Sequence, residues 1–461
     1  MIFCAVRASL SKKGSVDMIR FVCAAILSLA MTGAAIARSA SIEARVDAYV
    51  KPYLEARSFS GAILIARGGK ILVSKGYGMA NYELDVPNTP QTRFHIASIS
   101  KPFTAAAIMM LEERGLLSVN DPLTKFITDY PGGDKITVHH LLIHTSGIAN
   151  VNDFPDYDAK SKFPQTPESL VAMFKNRPLS FQPGARSVYS NSGYVLLAYI
   201  IEKVSSKSYE EFLTENIFRP AGMLDTGDDR QERLLKNRAS GYMPAVDESG
   251  VINAPFTDNS IKVGAGSLYT TAEDLYRWER AISSKKLMKL TIESIFPART
   301  WFGRRVVTQD GSLPGFNAVV AKFLDDDLWI VVLSNNYSQV RGAIVKDLAA
   351  MVLGEKYEIP SVKQPARIAA AAIDALTGSY RFDNSRRGFT IFKNRKGALV
   401  MSIAGRDSRV IPQSETEFFV PLWWARFTIA KGDKGEVTHL VWHDHGSAEG
   451  MRVPRIREDT K

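Results

Sequence analysis

The sequence predicts an α+β fold: an antiparallel sheet flanked by helices with an inserted helical region, followed by a small C-terminal all-β domain. Three observations carry this. Apolar runs joined by a turn come first (residues 61–76). Helical patterns fill the middle, and β-rich runs return at 304–333 before a last helix, so one sheet draws on both ends of the domain. Beyond a Pro-bearing stretch, Ile359 to Pro365, short strand-like runs recur with turns between them. The expected boundaries are a signal peptide at 1–37, a main domain at 38–358, a linker at 359–368 and a β-domain at 369–461.

Each element has a local reason. Arg20 precedes an apolar stretch, Phe21 to Ala37, whose end Ala35-Ile36-Ala37 fits A-x-A cleavage before Arg38. It is short for a membrane span and no other candidate follows. The chain is therefore expected to be periplasmic or secreted, with no stable span once the leader is removed; an uncleaved anchor is the alternative. Met18 is an alternative start. Both cysteines, Cys4 and Cys23, fall in the leader, which leaves the rest without a thiol, a disulfide or a Cys-based metal site. Cys23 lacks the small residue expected just before a lipid-modified cysteine.

Ser41 to Ala56 reads as a helix that Pro52 can end early. Gly61 to Ala66 and Ile71 to Gly76, joined by Arg67-Gly68-Gly69-Lys70, read as a hairpin. Ala105 to Arg114 is a helix stopped at Gly115, and Val138 to Ile143 a short one before Thr145-Ser146-Gly147. Thr166-Pro167-Glu168 opens another with a cap, a proline and an acid. Tyr194 to Val204 and Tyr209 to Phe218 follow, the second ended by Pro220 and Gly222. Thr271 opens a helix with Leu275, Trp278 and Ile282 at helical spacing. Arg304 to Thr308, Phe316 to Phe323 and Leu328 to Leu333 are the returning strands, and Gln339 to Leu353 is the last helix, closed by Gly354. In the β-domain the runs are Phe389 to Phe392, Ala398 to Ile403, Phe418 to Leu422, Arg426 to Ala430 and Val437 to His443.

At 461 residues, 45% hydrophobic and 23% charged, the composition is ordinary globular and fits two or three domains. Of the formal net charge of +10, the leader holds Arg7, Lys12, Lys13 and Arg20 against Asp17. The remaining excess is mild, and no basic run is interleaved with aromatics, so nucleic acid is not an expected partner. A slight preference for anionic substrates or cell-envelope surfaces is as far as the charge goes.

Ser98 is followed three residues on by Lys101. On a helix beginning near Ser98 the amine lies one turn later on the same face, beside the hydroxyl at the positive end of the helix dipole. Burial and the dipole both disfavour its charge, so it can accept the serine proton. Alone, the same spacing is met by any capped helix with a surface lysine.

Three further stretches change that. They are His140-Leu141-Leu142-Ile143-His144-Thr145-Ser146-Gly147, the Tyr189-Ser190-Asn191 run within Pro183 to Tyr194, and Gly264-Ala265-Gly266-Ser267-Leu268-Tyr269-Thr270-Thr271-Ala272-Glu273-Asp274. With Ser98-Ile99-Ser100-Lys101, and in this order, they resemble the serine beta-lactamase and penicillin-binding-protein superfamily over roughly Ile42 to Gly354. The likeness is to its class C beta-lactamase-like branch, which also holds esterases, D-aminopeptidases and DD-carboxypeptidases. The resemblance implies Ser98 as the acylated nucleophile and Lys101 as its proton acceptor. It implies that Tyr189 relays protons to and from the leaving group, and that Asn191 bonds the substrate carbonyl and orients Lys101. A phenolate-leaning Tyr189 beside a cationic Lys101 would act as base and then acid.

The third motif departs from the pattern. Where this branch carries Lys-Thr-Gly or His-x-Gly, the matching stretch is Gln309-Asp310-Gly311-Ser312. Gln309 can donate a hydrogen bond but carries no charge, which weakens capture of a substrate carboxylate. Gly311 and the Ser312 amide would still complete an oxyanion hole with the Ser98 amide. The resemblance also implies that the C-terminal β-domain lies near the site and restricts substrate size.

His140 and His144 stand four apart, a spacing that could seat zinc, but no acid or third ligand is near; a structural role is expected, and neither metal nor cofactor. The His443-Asp444-His445 run reads as solvated surface. No G-x-S-x-G, phosphate loop or dinucleotide fingerprint occurs. The expected function is an exported serine hydrolase acting through a Ser98 acyl-enzyme on small esters or amides, of carboxylesterase or D-amino-acid peptidase type. The alternatives are a beta-lactamase, a peptidoglycan DD-carboxypeptidase acting on cell-wall peptides, or a catalytically silent penicillin-binding-like sensor. The oligomeric state is left open.

Overall fold

The structure is a computed structural model describing residues 41–246, 250–285, 287–289, 296–383, 387–433, 435–445, 447 and 449–456; the expected signal peptide and its cleavage site lie outside them. The described residues from Tyr49 onward form one compact unit. Helix α1 (Ile42–Glu55) carries Pro52 in its last turn and runs past it, since that turn closes through the Ala56 amide on the Pro52 carbonyl at 3.0 Å.

The hairpin forms as expected. Strands β1 (Gly61–Arg67) and β2 (Lys70–Tyr77) pair from Arg67 opposite Lys70, with Gly68 and Gly69 at φ +57° and +77° supplying the two left-handed positions that a tight hairpin turn demands. The returning strands are β3 (Arg299–Trp301), β4 (Arg304–Leu313), β5 (Phe316–Phe323) and β6 (Leu328–Ser334). They complete a six-stranded antiparallel sheet ordered β3-β4-β5-β6-β1-β2. Its closure is the pairing of β1 with β6, Gly61 opposite Ser334 through Arg67 opposite Leu328, which joins the two ends of the domain.

Every residue of β5 and β6 is buried. Successive side chains on a strand point to opposite faces, so these strands are covered on both. Helices α4 (Ala272–Ser283) and α5 (Arg341–Leu353) pack on them, and α2 (Lys101–Glu113) packs on α3 (Asn191–Ser205) in the helical region.

Two boundaries differ from the sequence reading, and both matter for the site. Strand β4 runs on through Gln309 to Leu313, because those polar residues pair with Phe316 to Val320 across the turn at 314–315. Helix α3 starts at Asn191 rather than Tyr194, since Ser190 is still extended at φ −143°.

The C-terminal region is all-β apart from a short helix, Ala370–Leu376, which the sequence reading missed along with strands 378–381, 406–409 and 451–454. A four-stranded and a five-stranded antiparallel sheet enclose an apolar cluster containing Tyr380, Phe389, Phe418, Phe427 and Trp442. The expected run Phe418 to Leu422 ends as a strand at Val420, and Leu422 instead accepts the Gln339 amide at 2.8 Å. Likewise His445 is not on solvated surface: its Nε2 lies 3.1 Å from Asp347 Oδ2. Among the described residues, no helix is long and apolar enough to cross a membrane.

Candidate active site

The nucleophile segment is built by a small sheet. Strand Leu268–Thr270 lies between Phe94–His95 and Gly227–Asp228. The Ile96 amide donates to the Leu268 carbonyl at 3.1 Å, and the Leu268 amide to Ser100 Oγ at 3.2 Å. Ala97, at φ +48°, turns the chain from strand into the 3₁₀ turn Ala97–Ser100, after which α2 begins at Lys101. A left-handed non-glycine residue stores strain, here immediately before the candidate nucleophile.

Ser98 Oγ meets two groups. Lys101 Nζ stands 3.1 Å away and the Tyr189 hydroxyl 2.7 Å away. Lys101 is 4% exposed and Nζ also donates to the Ala265 carbonyl at 2.7 Å. One turn on, Thr104 Oγ1 donates to the Gly264 carbonyl at 2.6 Å, so α2 holds two successive carbonyls of that loop. The carbonyl, rather than Asn191, orients the amine. Asn191 Nδ2 donates to Asn152 Oδ1 at 2.6 Å and its amide to Asn150 Oδ1 at 3.0 Å.

Burial draws the Lys101 ammonium down to about 7. Burial raises the Tyr189 phenol above its ordinary value; the bond to Ser98 lowers it in part, and the Asp310 charge adds to the rise. Both shifts favour the neutral forms. Burial thus moves both groups toward their neutral forms, away from the cationic lysine and phenolate-leaning tyrosine expected from sequence.

His144 was expected to be structural, and its place is specific. Its ring lies between Tyr189 (centroids 4.7 Å apart) and Tyr194 (5.2 Å), and Nδ1 accepts the Ser190 amide at 3.3 Å. Burial, then the nearby Lys101 charge, lowers its pKa to about 4, so it stays neutral and does not compete for the serine proton. The extended segment carrying Tyr189 docks along this loop through Val188 N–H to the His144 carbonyl and Gly184 N–H to the Thr145 carbonyl, both 2.9 Å. His140 does separate work: its Nδ1 accepts the Thr137 amide at the start of its own short helix.

Strand β4 closes the other side. Strand β3 pairs only with Arg304 to Val306, which leaves the Gln309–Leu313 edge facing the Ser98 turn. A Cβ at Gly311 would fall 2.1 Å from the Ile96 carbonyl oxygen and 3.0 Å from Ser98 N, so only glycine lets the strand come this close. Gly311→Ala is therefore expected to push β4 from the nucleophile turn. The cost should be about 1–3 kcal/mol of stability and about a hundredfold in turnover. Urea melts beside steady-state kinetics check this; unchanged turnover would mean that the spacing is not used.

A cavity of about 160 Å³ opens at Ser98. Asn152, Tyr157, Asn191, Lys262, Ala265 and Ser312 are among its lining residues, all of which fall within 97–314. Gln309 and Gly311 do not line it. The Asp310 carboxylate pairs with Arg341 at 3.2 Å. The C-terminal region therefore contributes nothing to this lining among the described residues; it touches the 338–339 turn through Leu422. Sequence reasoning missed Lys262 and the Ala265 carbonyl.

Comparison with known proteins places the family and the fold. The family model described as Beta-lactamase matches residues 46–352. Penicillin-binding protein 4* of Bacillus subtilis (strain 168) is 30% identical over 441 residues, covering 87% of this chain and 96% of its own. Among solved structures, the octameric penicillin-binding protein homologue from Pyrococcus abyssi superposes with a TM-score of 0.60 at 24% identity, over 89% of this chain and 99% of its own. D-amino acid amidase from Ochrobactrum anthropi SV3, complexed with D-phenylalanine, gives 0.60 at 21% identity, over 68% and 98%. Both share the fold.

Proposed function

The chain belongs to the beta-lactamase family of serine hydrolases, and on that premise we propose that it turns over small esters or amides through an acyl-enzyme on Ser98. The observation carrying this is the contact of Ser98 Oγ with a buried amine at 3.1 Å and a phenol at 2.7 Å. Neutral Lys101 takes the serine proton as Oγ attacks the carbonyl carbon. The amides of Ser98 and Ser312 receive the developing oxyanion. Tyr189 donates its proton to the departing alkoxide or amine, and Lys101 returns one to Tyr189, so the pair ends neutral. Water then attacks the acyl carbonyl by the same proton path.

The small cavity favours small acyl groups, and Gln309 brings no charge to the strand that edges the site. Export to the periplasm or beyond belongs to the same proposal, as does a domain boundary at 359–368. The test is a panel of p-nitrophenyl butyrate, D-phenylalanine amide and nitrocefin. Ester or amide turnover at least about tenfold above nitrocefin is expected; the reverse order would favour a beta-lactamase. The name of the Bacillus relative favours one second reading, penicillin binding without turnover. Stoichiometric, long-lived acylation by benzylpenicillin with no turnover of the panel would select it.

A further inference from the structure

Lys262 lies in the cavity that contains Ser98, on a short turn, Asn259–Lys262, that precedes the Ala265 loop. It is half-buried, and among the described residues no carboxylate forms an ion pair with it. Its ammonium donates to Asn259 Oδ1 at 3.2 Å. That amide is oriented from behind: Asn259 Nδ2 donates to Asp229 Oδ2 at 3.1 Å, and a carboxylate accepts only, so the oxygen must turn to Lys262. Asp229 is itself held by Arg238 and by His95 Nε2 at 2.8 Å. The lysine thus sits on a prearranged platform in the wall of the cavity.

We propose that Lys262 recognises a carboxylate on the substrate, so that the enzyme prefers carboxylate-bearing esters or amides to their neutral counterparts. The cation that Gln309 does not supply comes instead from the Asn259–Lys262 turn. This rests on the proposed acyl transfer at Ser98. Burial and then Lys162 draw the Lys262 ammonium down to about 8, opposed by Asp229 and Asp258, and it remains largely charged at neutral pH. Asp158 also lines the cavity but is exposed, where water screens it.

The test compares kcat/KM within two pairs: mono-p-nitrophenyl adipate against p-nitrophenyl hexanoate, and N-acetyl-D-alanyl-D-alanine against its C-terminal amide. Together they place the carboxylate on either side of the scissile bond. In at least one pair the wild type should favour the anion. Lys262→Gln should cut that ratio about tenfold, as loss of a charge-assisted hydrogen bond warrants. Lys262→Glu should invert it and Lys262→Arg should keep most of it, a pattern that misfolding does not produce. Ratios unmoved by all three variants overturn the proposal. If the wild type turns over neither pair, acyl transfer has failed separately. Calorimetric binding of adipate and N-acetyl-D-alanine then decides: affinity lost in Lys262→Gln sustains the inference, and equal or absent binding in both proteins overturns it.

Discussion

Ser98→Ala is expected to lower turnover of every ester or amide substrate by about a thousandfold or more. It removes the atom that both Lys101 and Tyr189 approach within hydrogen-bond distance, and groups acting as one unit lose nearly all their effect together. The loss should fall on kcat rather than KM, because the cavity walls from Asn152 to Ser312 stay in place. Mass spectrometry supplies the second readout. An acyl adduct trapped on the wild type by rapid acid quench should be missing from the variant. Full turnover by Ser98→Ala would remove the acyl-enzyme mechanism altogether.

Lys101→Met is expected to abolish turnover to a similar extent and, unusually for a buried substitution, to stabilise the protein at neutral pH. The sign follows from the direction of the shift. Burial lowers the Lys101 pKa from 10.5 to about 7. Between those values the unfolded chain holds a proton that the native chain does not, so native stability rises with pH across the window and carries the full penalty below it. At about 1.4 kcal/mol per pKa unit the penalty is about 4–5 kcal/mol. Methionine keeps the volume without the charge but leaves the Ala265 carbonyl without its 2.7 Å donor, so a net gain of about 1–3 kcal/mol is expected. Urea melts at pH 6.5 and 9 test this through the difference between the two proteins, which should shrink as pH rises. A difference that stays flat would show that the amine is charged in the folded state. In the wild type, kcat/KM should correspondingly climb as pH passes through about 7, since only the neutral amine accepts the serine proton.

Much of the fold was legible because its signals are local. The Gly68-Gly69 turn, the Thr166 and Thr271 caps and the glycines closing helices are properties of a few neighbouring residues. So is the meeting of Ser98 and Lys101, which three residues of helical spacing bring to one face. The end of β4 was not legible. Gln309, Asp310 and Ser312 have the polarity of a loop and become strand through partners in β5. The same holds for Trp424, which is buried against Tyr53 at 4.3 Å from a turn far along the chain.

By itself, then, the sequence determined the order of elements, a sheet drawn from both ends of the domain, and the meeting of Ser98 with Lys101, each recorded in short-range spacing. Tertiary structure alone decided the electrostatic state of the site. Whether Lys101 is charged depends on how deeply it is buried by chain segments such as the Ala265 loop, some one hundred and sixty residues away. It also decided what orients the amine, since the Ala265 carbonyl belongs to the backbone and has no side-chain signature. Lys262 is the third such case: an unremarkable lysine in sequence faces Ser98's cavity only because Asn259 and Asp229 converge behind it. Burial and convergence are long-range properties, and a pattern read over a few residues does not contain them.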